Sequence, residues 1–282
     1  MTSGIRLRLA SLAGVSHGFL LFVCCLAAAG AIGQERVGQP LMIAAASDLQ
    51  PAAGEIVAQF KEHVTTEVLV TYGASGSLHA QIANGAPFDV FLSADLEYPR
   101  NLIASGNAVA GSFRPFARGA LVLCANVPLP EEERDRSDLK SLALPRIHHI
   151  AIANPKHAPY GRAAESALRR AGMLDTVAGK LVYGENVRQA FEFVVSGNAE
   201  AGLVSRSLMK SVPAASRTSC RQLPLESYPP LDQAAVVTRH GAGNRLARSF
   251  VEFLSGPEAR EILERYGFLR PSTETPPPKV TR

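Results

Sequence analysis

Hydroxyl side chains and unpaired backbone N–H groups are predicted at four points of this 282-residue chain, where an apolar run ends and an amphipathic helix begins. The four junctions lie in residues 41–49, 70–82, 150–164 and 181–191. A helix N-terminus leaves backbone donors without partners and carries partial positive charge. Several such ends that converge on one cleft could bind a small dianion without a formal cation. These residues therefore favour the capture of an oxyanion over covalent chemistry.

Three polar side chains at the junctions have two competing interpretations. Ser47 follows the first apolar run, Ser75 lies in the turn Gly73–Ser77, and Asn186 precedes the last of the four helices. Each is a normal N-cap, because a side-chain oxygen there accepts from a free helix N–H and stabilises the helix by about 1 kcal/mol. Each also lies where open α/β sheets bind ligands, outside the carboxyl end of a strand. The repetition at four junctions favours the anion site.

A secreted Ser/His hydrolase is the alternative from a different class. The turn Gly73–Ser77 falls short of the nucleophile motif G-x-S-x-G, because Ser77 occupies the final glycine position. The sequence contains neither an H-x-x-x-H helix face nor a C-x-x-C pair, so we expect no direct metal ligands. The histidines available as bases show no recognisable triad context; they are His63, His79, His148, His149, His157 and His240.

Both ends of the chain lie outside the predicted globular part. Arg6 and Arg8 precede a short apolar run, Phe19–Ala29, and small residues follow, which is the pattern of a secretory signal peptide. The apolar run is too short to span a membrane comfortably. We therefore expect residues 1–33 to be cleaved and the mature protein to be secreted across the inner membrane. The proline-rich tail, residues 272–282, is predicted to be disordered.

The charge of the chain argues against a nucleic-acid partner. The sequence has 29 Lys and Arg residues and 25 Asp and Glu residues. Only Arg6 and Arg8 among these fall in residues 1–33, so the mature chain keeps 27 basic and 25 acidic residues, a net charge of +2. The charges are dispersed, and no basic block with interleaved aromatic residues occurs.

The mature chain keeps two cysteines, Cys124 and Cys220. In an oxidising compartment two thiols can form a disulfide. Two buried free cysteines are equally ordinary, because cysteine is among the most buried residue types. The sequence leaves both alternatives open.

Strand and helix patterns alternate along the chain, which is typical of an α/β protein with parallel sheets. The strand runs are rich in Val, Ile and Leu and too continuous for a sheet with one wet face, so burial on both faces is predicted. The predicted strands are Leu41–Ala46, Glu67–Tyr72, Asp89–Ser93, Ala120–Ala125, His149–Ala153, Lys180–Tyr183, Ala201–Val204 and Gln233–Thr238.

Two segments are interpreted as crossings between lobes, Arg114–Gly119 and Pro224–Leu231. If both are hinges, lobe 1 comprises residues 34–119 and 231–271, and lobe 2 comprises residues 120–230. Two-lobed α/β proteins with such a cleft close around ligands by hinge motion.

Three long blocks carry a resemblance to a known family. Residues 73–95 (GASGSLHAQIANGAPFDVFLSAD), 150–164 (IAIANPKHAPYGRAA) and 183–205 (YGENVRQAFEFVVSGNAEAGLVS) resemble the periplasmic molybdate-binding proteins of molybdate ABC transporters. The resemblance implies a two-lobed type II periplasmic binding protein fold, with parallel-rich sheets flanked by helices and two hinge crossings. It also implies binding of tetrahedral molybdate and tungstate and delivery to membrane permease subunits. We expect a monomer that needs no cofactor.

The resemblance assigns particular residues to the anion. It places two binding hydroxyls on Ser47 and Ser75. It places two backbone donors on the N–H groups of Tyr160 and Val187. One branch of the family often has an amide side chain where this chain has Asp48. Because an ionised carboxylate cannot donate a hydrogen bond, Asp48 is expected to contribute only its backbone N–H.

One position departs from part of the family. One branch uses a tyrosine where this chain has Ser205, whereas another branch places a tyrosine in the P-Y-G turn, which Tyr160 matches. We therefore expect the Tyr160 N–H to bind the anion, and its hydroxyl is a further candidate donor. Ser205 and Asn186 are secondary candidates.

The closest alternative is a receptor for sulfate or another tetrahedral oxyanion. Neutral donors suit a fully deprotonated dianion, whereas a protonated phosphate would need an acceptor in the site. Cavity size is expected to separate molybdate from sulfate, because a smaller anion leaves donors underused.

Overall fold

A computed structural model describes residues 39–127, 139–212 and 219–272 of the chain. The predicted signal peptide and residues 273–282 of the predicted tail lie outside the described residues. Among the residues described, no helix is both long enough and apolar enough to cross a membrane.

Ten strands within these ranges form two five-stranded mixed sheets. The strands are β1 (Leu41–Ala46), β2 (Val68–Gly73), β3 (Val90–Ser93), β4 (Arg114–Gly119), β5 (Leu121–Ala125), β6 (Ile150–Ala153), β7 (Leu181–Gly184), β8 (Ala201–Ser205), β9 (Ser219–Gln222) and β10 (Leu231–Val237). The first sheet has the strand order β2-β1-β3-β10-β4, and the second has the order β7-β6-β8-β5-β9. Each sheet forms the centre of one lobe of the two-lobed α/β fold.

Nine α-helices in the described ranges complete the two lobes. They are α1 (Gln50–Lys61), α2 (Ser75–Ala83), α3 (Glu97–Ala104), α4 (Pro159–Arg170), α5 (Leu174–Val177), α6 (Val187–Val195), α7 (Arg206–Lys210), α8 (Arg245–Leu254) and α9 (Pro257–Arg265). A short 3-10 helix, Ser47–Leu49, connects β1 to α1.

Both faces of β1, an interior strand of the first sheet, are buried. Ile43 and Ala45 of β1 belong to one apolar cluster, whereas Ala44 belongs to a cluster on the opposite face. Successive strand residues point to opposite faces of a sheet, so these neighbours must enter different cores. The prediction of two-sided burial is confirmed for β1, whereas it is wrong for the edge strand β2, in which partly buried and exposed residues alternate.

The expectation of parallel sheets is wrong at the strands next to the lobe crossings. β1 is parallel to β2 and β3, and β6 is parallel to β7 and β8. In contrast, β10 is antiparallel to β3 and β4, and β5 is antiparallel to β8 and β9. Parallel neighbours need a crossover connection, usually a helix, within one sheet. The chain enters β5 directly from β4 of the other sheet, so that requirement is not met.

The sequence patterns do not predict β4 and β9. β4 contains Pro115 and two arginines, and β9 contains one arginine among polar residues. Each is the outermost strand of its sheet. An edge strand tolerates polar residues and proline, because one side of its backbone has no partner strand. The segment interpreted as the first hinge crossing is therefore an edge strand that leads into the second sheet.

Hydrogen bonds join the two places where the chain passes between the sheets. The Arg118 guanidinium donates to both carboxylate oxygens of Asp232, at 2.7 and 2.9 Å. The Leu121 N–H donates to the Tyr228 hydroxyl at 3.0 Å. Ser272 also donates to Asp232, through its hydroxyl and its N–H. Ser272, which the sequence places in the disordered tail, is thus held against the crossing.

Cys124 and Cys220 form a disulfide between β5 and β9, with their Cα atoms 4.1 Å apart. The two residues lie directly opposite each other in the antiparallel register. The pairing that the sequence leaves open is therefore present, and it joins an edge strand of the second sheet to its neighbour.

Removal of this disulfide is expected to lower the free energy of unfolding by about 2–5 kcal/mol, because the cross-link restricts the unfolded chain. Urea unfolding of the Cys124→Ser, Cys220→Ser double variant beside the oxidised wild type measures the difference. Equal stability of the two proteins, or two titratable thiols in the oxidised wild type, would contradict the prediction.

Candidate anion-binding cleft

Five residues that the sequence assigns to the anion line one small cavity. Ser47 and Asp48 follow β1, and Ser75 lies just after β2. Tyr160 and Val187 lie at the starts of α4 and α6, which follow β6 and β7. The carboxyl ends of parallel strands from both lobes therefore meet at this cavity, as expected for a ligand site in an open α/β sheet. The other residues of the lining are Ala46, Gly73, Ala74, Ala94, Ala158 and Pro159.

The Ser75 hydroxyl is oriented by a hydrogen bond that it accepts. Ser75 is the first residue of α2, and the N-cap is Ala74, so Ser75 does not cap the helix. Its oxygen accepts from the Ala94 N–H at 3.0 Å. Because the oxygen is the acceptor in that bond, the hydroxyl proton remains available to a second acceptor. The residue is 1% exposed, so that acceptor must lie in the cavity or in the protein.

The Ser47 hydroxyl makes no hydrogen bond to any residue that the structure describes. Ser47 begins the short 3-10 helix and is 3% exposed, and no side chain caps this helix. Buried hydroxyls are rarely left without a partner. The capping interpretation is therefore wrong for Ser47 and Ser75, and both hydroxyls can donate into the cavity.

Two helix N-termini supply backbone donors from the second lobe. Pro159 is the first residue of α4 and has no N–H, so Tyr160 carries the first N–H of that helix. Asn186 caps α6, and its side-chain oxygen accepts from the N–H groups of Arg188 and Gln189 at 3.0 and 3.1 Å. The N–H groups of Tyr160 and Val187 donate to no described residue. Asn186 is thus a helix cap, and it is not among the residues that line the cavity.

Asp48 is the only formally charged residue among those that line the cavity, and it is fully buried. Burial raises the pKa of its carboxyl from 3.8 to about 6, and hydrogen bonds from Gln233 and Tyr160 oppose the rise. The Gln233 Nε2 donates to Asp48 Oδ2 at 2.5 Å. The expectation that Asp48 is ionised does not take this burial into account, because burial disfavours the charged carboxylate.

The Tyr160 hydroxyl is bound within the protein rather than left free. It accepts from the Ser205 hydroxyl at 3.2 Å and lies beside the Asp48 carboxyl. A Cβ atom on Gly119 would come within 2.1 Å of the Tyr160 hydroxyl oxygen, so only glycine at the crossing leaves room for this ring. Burial raises the pKa of Tyr160 well above 10, which keeps the phenol neutral.

Ser205 belongs to the layer behind the cavity. It caps α7 by accepting from the Ser207 N–H at 3.2 Å. The Ser207 hydroxyl donates across the lobes to the Asp48 carbonyl at 2.7 Å. Ser205 therefore contacts Tyr160 and does not line the cavity.

Sequence reasoning missed Gly119, Ser207 and Gln233, which support the lining residues from behind. Gln233 left the clearest signal, because it is a fully buried amide directly before the apolar residues Ala234–Val237 of β10. Gly119 and Ser207 carried none, since their roles depend on contacts between distant parts of the chain.

The rim of the cleft joins the two lobes directly. The Gly76 N–H donates to the His157 carbonyl at 2.8 Å, and a Cβ on Gly76 would lie 2.6 Å from that oxygen. Arg162 donates to Asp95 Oδ2 at 2.5 Å and to the Tyr98 hydroxyl at 3.0 Å. The same guanidinium lies 5.3 Å from the centre of the Tyr98 ring, within range of a cation–π contact.

None of the six histidines considered as bases lines the cavity, and all six are in the described part of the chain. At the rim His157 uses its backbone carbonyl, and its ring Nε2 lies 2.9 Å from the Glu185 carbonyl. The arrangement needed for a Ser/His hydrolase is therefore not assembled around Ser47 or Ser75.

The chain is similar to known proteins over most of its length. It is 39% identical over 233 residues to the molybdate-binding protein ModA of Rhodobacter capsulatus. The aligned region covers 82% of this chain and 88% of the relative. It is 36% identical over 228 residues to the protein of the same name from Azotobacter vinelandii, covering 81% of this chain and 89% of the relative.

The solved structure of the Azotobacter vinelandii periplasmic molybdate-binding protein matches the fold with a TM-score of 0.74 at 32% identity. The match covers 83% of this chain and 99% of that one. Residues 41–269 match the family described as bacterial extracellular solute-binding protein. The family and these relatives are binding proteins and not enzymes. The chain therefore belongs to the bacterial extracellular solute-binding proteins.

Proposed function

We propose that this protein is a periplasmic receptor that binds molybdate, and also tungstate, and delivers it to the permease subunits of an ABC transporter. The observation that carries the proposal is the single cavity at which two free hydroxyls and two free backbone N–H groups converge from both lobes. The names of the relatives support molybdate as the ligand. The protein acts as a monomer after cleavage of residues 1–33.

The donor set suits a fully deprotonated tetrahedral dianion. The hydroxyls of Ser47 and Ser75 and the N–H groups of Tyr160 and Val187 are neutral, and each can point to a different oxygen. Hydrogen bonds to a charged group contribute about 1.5–3 kcal/mol each. The larger molybdate reaches donors of both lobes at once, whereas the smaller sulfate leaves some of these donors without a hydrogen bond. A buried donor without a partner lowers the affinity for sulfate.

The two-lobed arrangement gives the receptor a means of signalling that it is loaded. We assign residues 39–119 and 231–271 to one lobe, and residues 120–127, 139–212 and 219–230 to the other. The anion joins donors from both, so binding favours the form in which the lobes meet. The permease then distinguishes loaded from empty receptor by shape.

The first test of this function is a titration of the purified mature protein with molybdate, tungstate, sulfate and phosphate, measured by calorimetry. We expect tight binding of the first two anions and weak binding of the last two. A ligand at a hundred times its dissociation constant should stabilise the fold by about 2.7 kcal/mol, which a thermal-shift measurement can follow. Sulfate binding as tight as molybdate binding would assign the receptor to sulfate instead.

The two hydroxyls are tested by the single variants Ser47→Ala and Ser75→Ala. Each should weaken molybdate binding by roughly 1.5–3 kcal/mol, because each removes one hydrogen bond to a charged ligand. Ser77→Ala is the matched control, since Ser77 lies on the same turn of α2 but does not line the cavity. Unchanged affinity in the Ser47 and Ser75 variants would remove these hydroxyls from the site.

The variants Tyr160→Phe and Ser205→Ala separate the cavity lining from the layer behind it. Tyr160→Phe keeps the backbone N–H and should cost between nothing and about 2 kcal/mol in molybdate affinity. Ser205→Ala removes the cap of α7 and should cost about 1 kcal/mol of stability, with little change in affinity. If Ser205→Ala abolishes binding while Tyr160→Phe has no effect, the second-lobe half of the site is assigned wrongly.

A further inference from the structure

Asp48 is a buried carboxyl with an incomplete set of partners. Its Oδ2 accepts from Gln233 Nε2, whereas its Oδ1 has no hydrogen-bond partner among the described residues. The Gln233 Oε1 is also buried without a partner there. Both unpaired atoms are hydrogen-bond acceptors. A proton added to the Asp48 carboxyl would turn its unpaired oxygen into a donor. An ionised carboxylate that is buried with only neutral side-chain donors, Gln233 and Tyr160, is a costly arrangement.

No cation compensates Asp48 from the elements that pack around it in the described structure. β10 presents the amide of Gln233, and α4 presents the neutral phenol of Tyr160. The residues around Tyr160 add only the phenol of Tyr228, whose pKa burial raises as well.

Three charged side chains of the neighbouring helices pair with groups other than Asp48. On α6, Arg188 pairs with Glu192 at 2.8 Å. On α7, Arg206 donates to Gln222 at 2.9 Å. On α1, Glu55 pairs with Arg265 of α9. Asp48 itself lines the cavity, and the side chains that the described structure places against its carboxyl, Gln233 and Tyr160, are neutral.

We propose that Asp48 holds the bound dianion as a neutral carboxylic acid, so that capture of one molybdate takes up one proton from solvent and its release returns that proton. The inference rests on the proposed function. A carboxylate beside a dianion would repel it, and the described lining of the cavity holds no cation to offset the repulsion. The acid removes one negative charge and gains an O–H that can donate in addition to the backbone N–H of the same residue.

The direction of the pH effect follows from this coupling. A nearby dianion disfavours the ionised acid, so the pKa of Asp48 is higher in the complex than in the free protein, where it is about 6. Below that value the free protein is already protonated, and affinity does not depend on pH. Above it, affinity should fall by up to tenfold for each pH unit until the pKa of the complex is passed.

Calorimetric titration of the full mature protein with molybdate, from about pH 6 to about pH 8.5, tests the coupling. At each pH the titration is repeated in two buffers that differ in ionisation enthalpy, which gives the number of protons taken up. Wild type should take up close to one proton near the middle of this range, with the dissociation constant rising by up to tenfold for each pH unit. Asp48→Asn keeps a donor and cannot ionise, so it should bind with no proton uptake and no pH dependence.

Asp89→Asn is the matched control, because Asp89 is a buried carboxyl of the same lobe that does not line the cavity. It should retain the proton uptake of wild type. Tight binding of molybdate by wild type without proton uptake would overturn this inference and leave the proposed function intact. Absence of binding to molybdate and tungstate at every pH would overturn both. The proton count of wild type is decisive even if Asp48→Asn does not fold.

Discussion

The chain passes between its two sheets at Gly119–Ala120 and again before Leu231, and the donors of the two lobes can meet only while these crossings stay together. The Arg118–Asp232 ion pair joins them, with both nitrogen–oxygen distances below 3 Å. Tyr160 then inserts its hydroxyl against Gly119, where a side chain would exclude it. This contact sets the position of the first turn of α4, and with it the direction of the Tyr160 N–H.

Because the described lining of the cleft holds no cation, its affinity for an anion depends on how many neutral donors reach the cavity. Ser75 can donate because Ala94 fixes its oxygen as an acceptor, and Val187 can donate because Asn186 satisfies the next two N–H groups of α6. These two donors thus depend on hydrogen bonds made by the protein outside the cavity. Such a site binds through preorganised dipoles, and a single uncompensated carboxyl has a large effect on it.

Sequence reasoning was most successful where the relevant contacts are local. Each strand-to-helix junction is specified within about ten residues by an apolar run, small residues and a helix start, and Ser47, Ser75, Tyr160 and Val187 indeed line one cavity. The reasoning failed where contacts are distant in sequence. Asp48 and Gln233 are 185 residues apart, and no local sequence pattern predicts that they form a hydrogen bond. The directions of β5 and β10 also depend on the crossings and not on their own residues.

The contacts at the rim influence the apparent affinity for the anion, although the residues that make them do not bind it. The bond from Gly76 to the His157 carbonyl, and those from Arg162 to Asp95 and Tyr98, join protein groups only, so they stabilise the meeting of the lobes with or without an anion. The apparent dissociation constant of a ligand equals its intrinsic value divided by the fraction of molecules that are already competent to bind. These rim contacts can therefore raise or lower the range of anion concentrations over which the receptor fills, while the groups that recognise the anion stay the same. The same contacts set how many empty molecules present the loaded shape to the membrane.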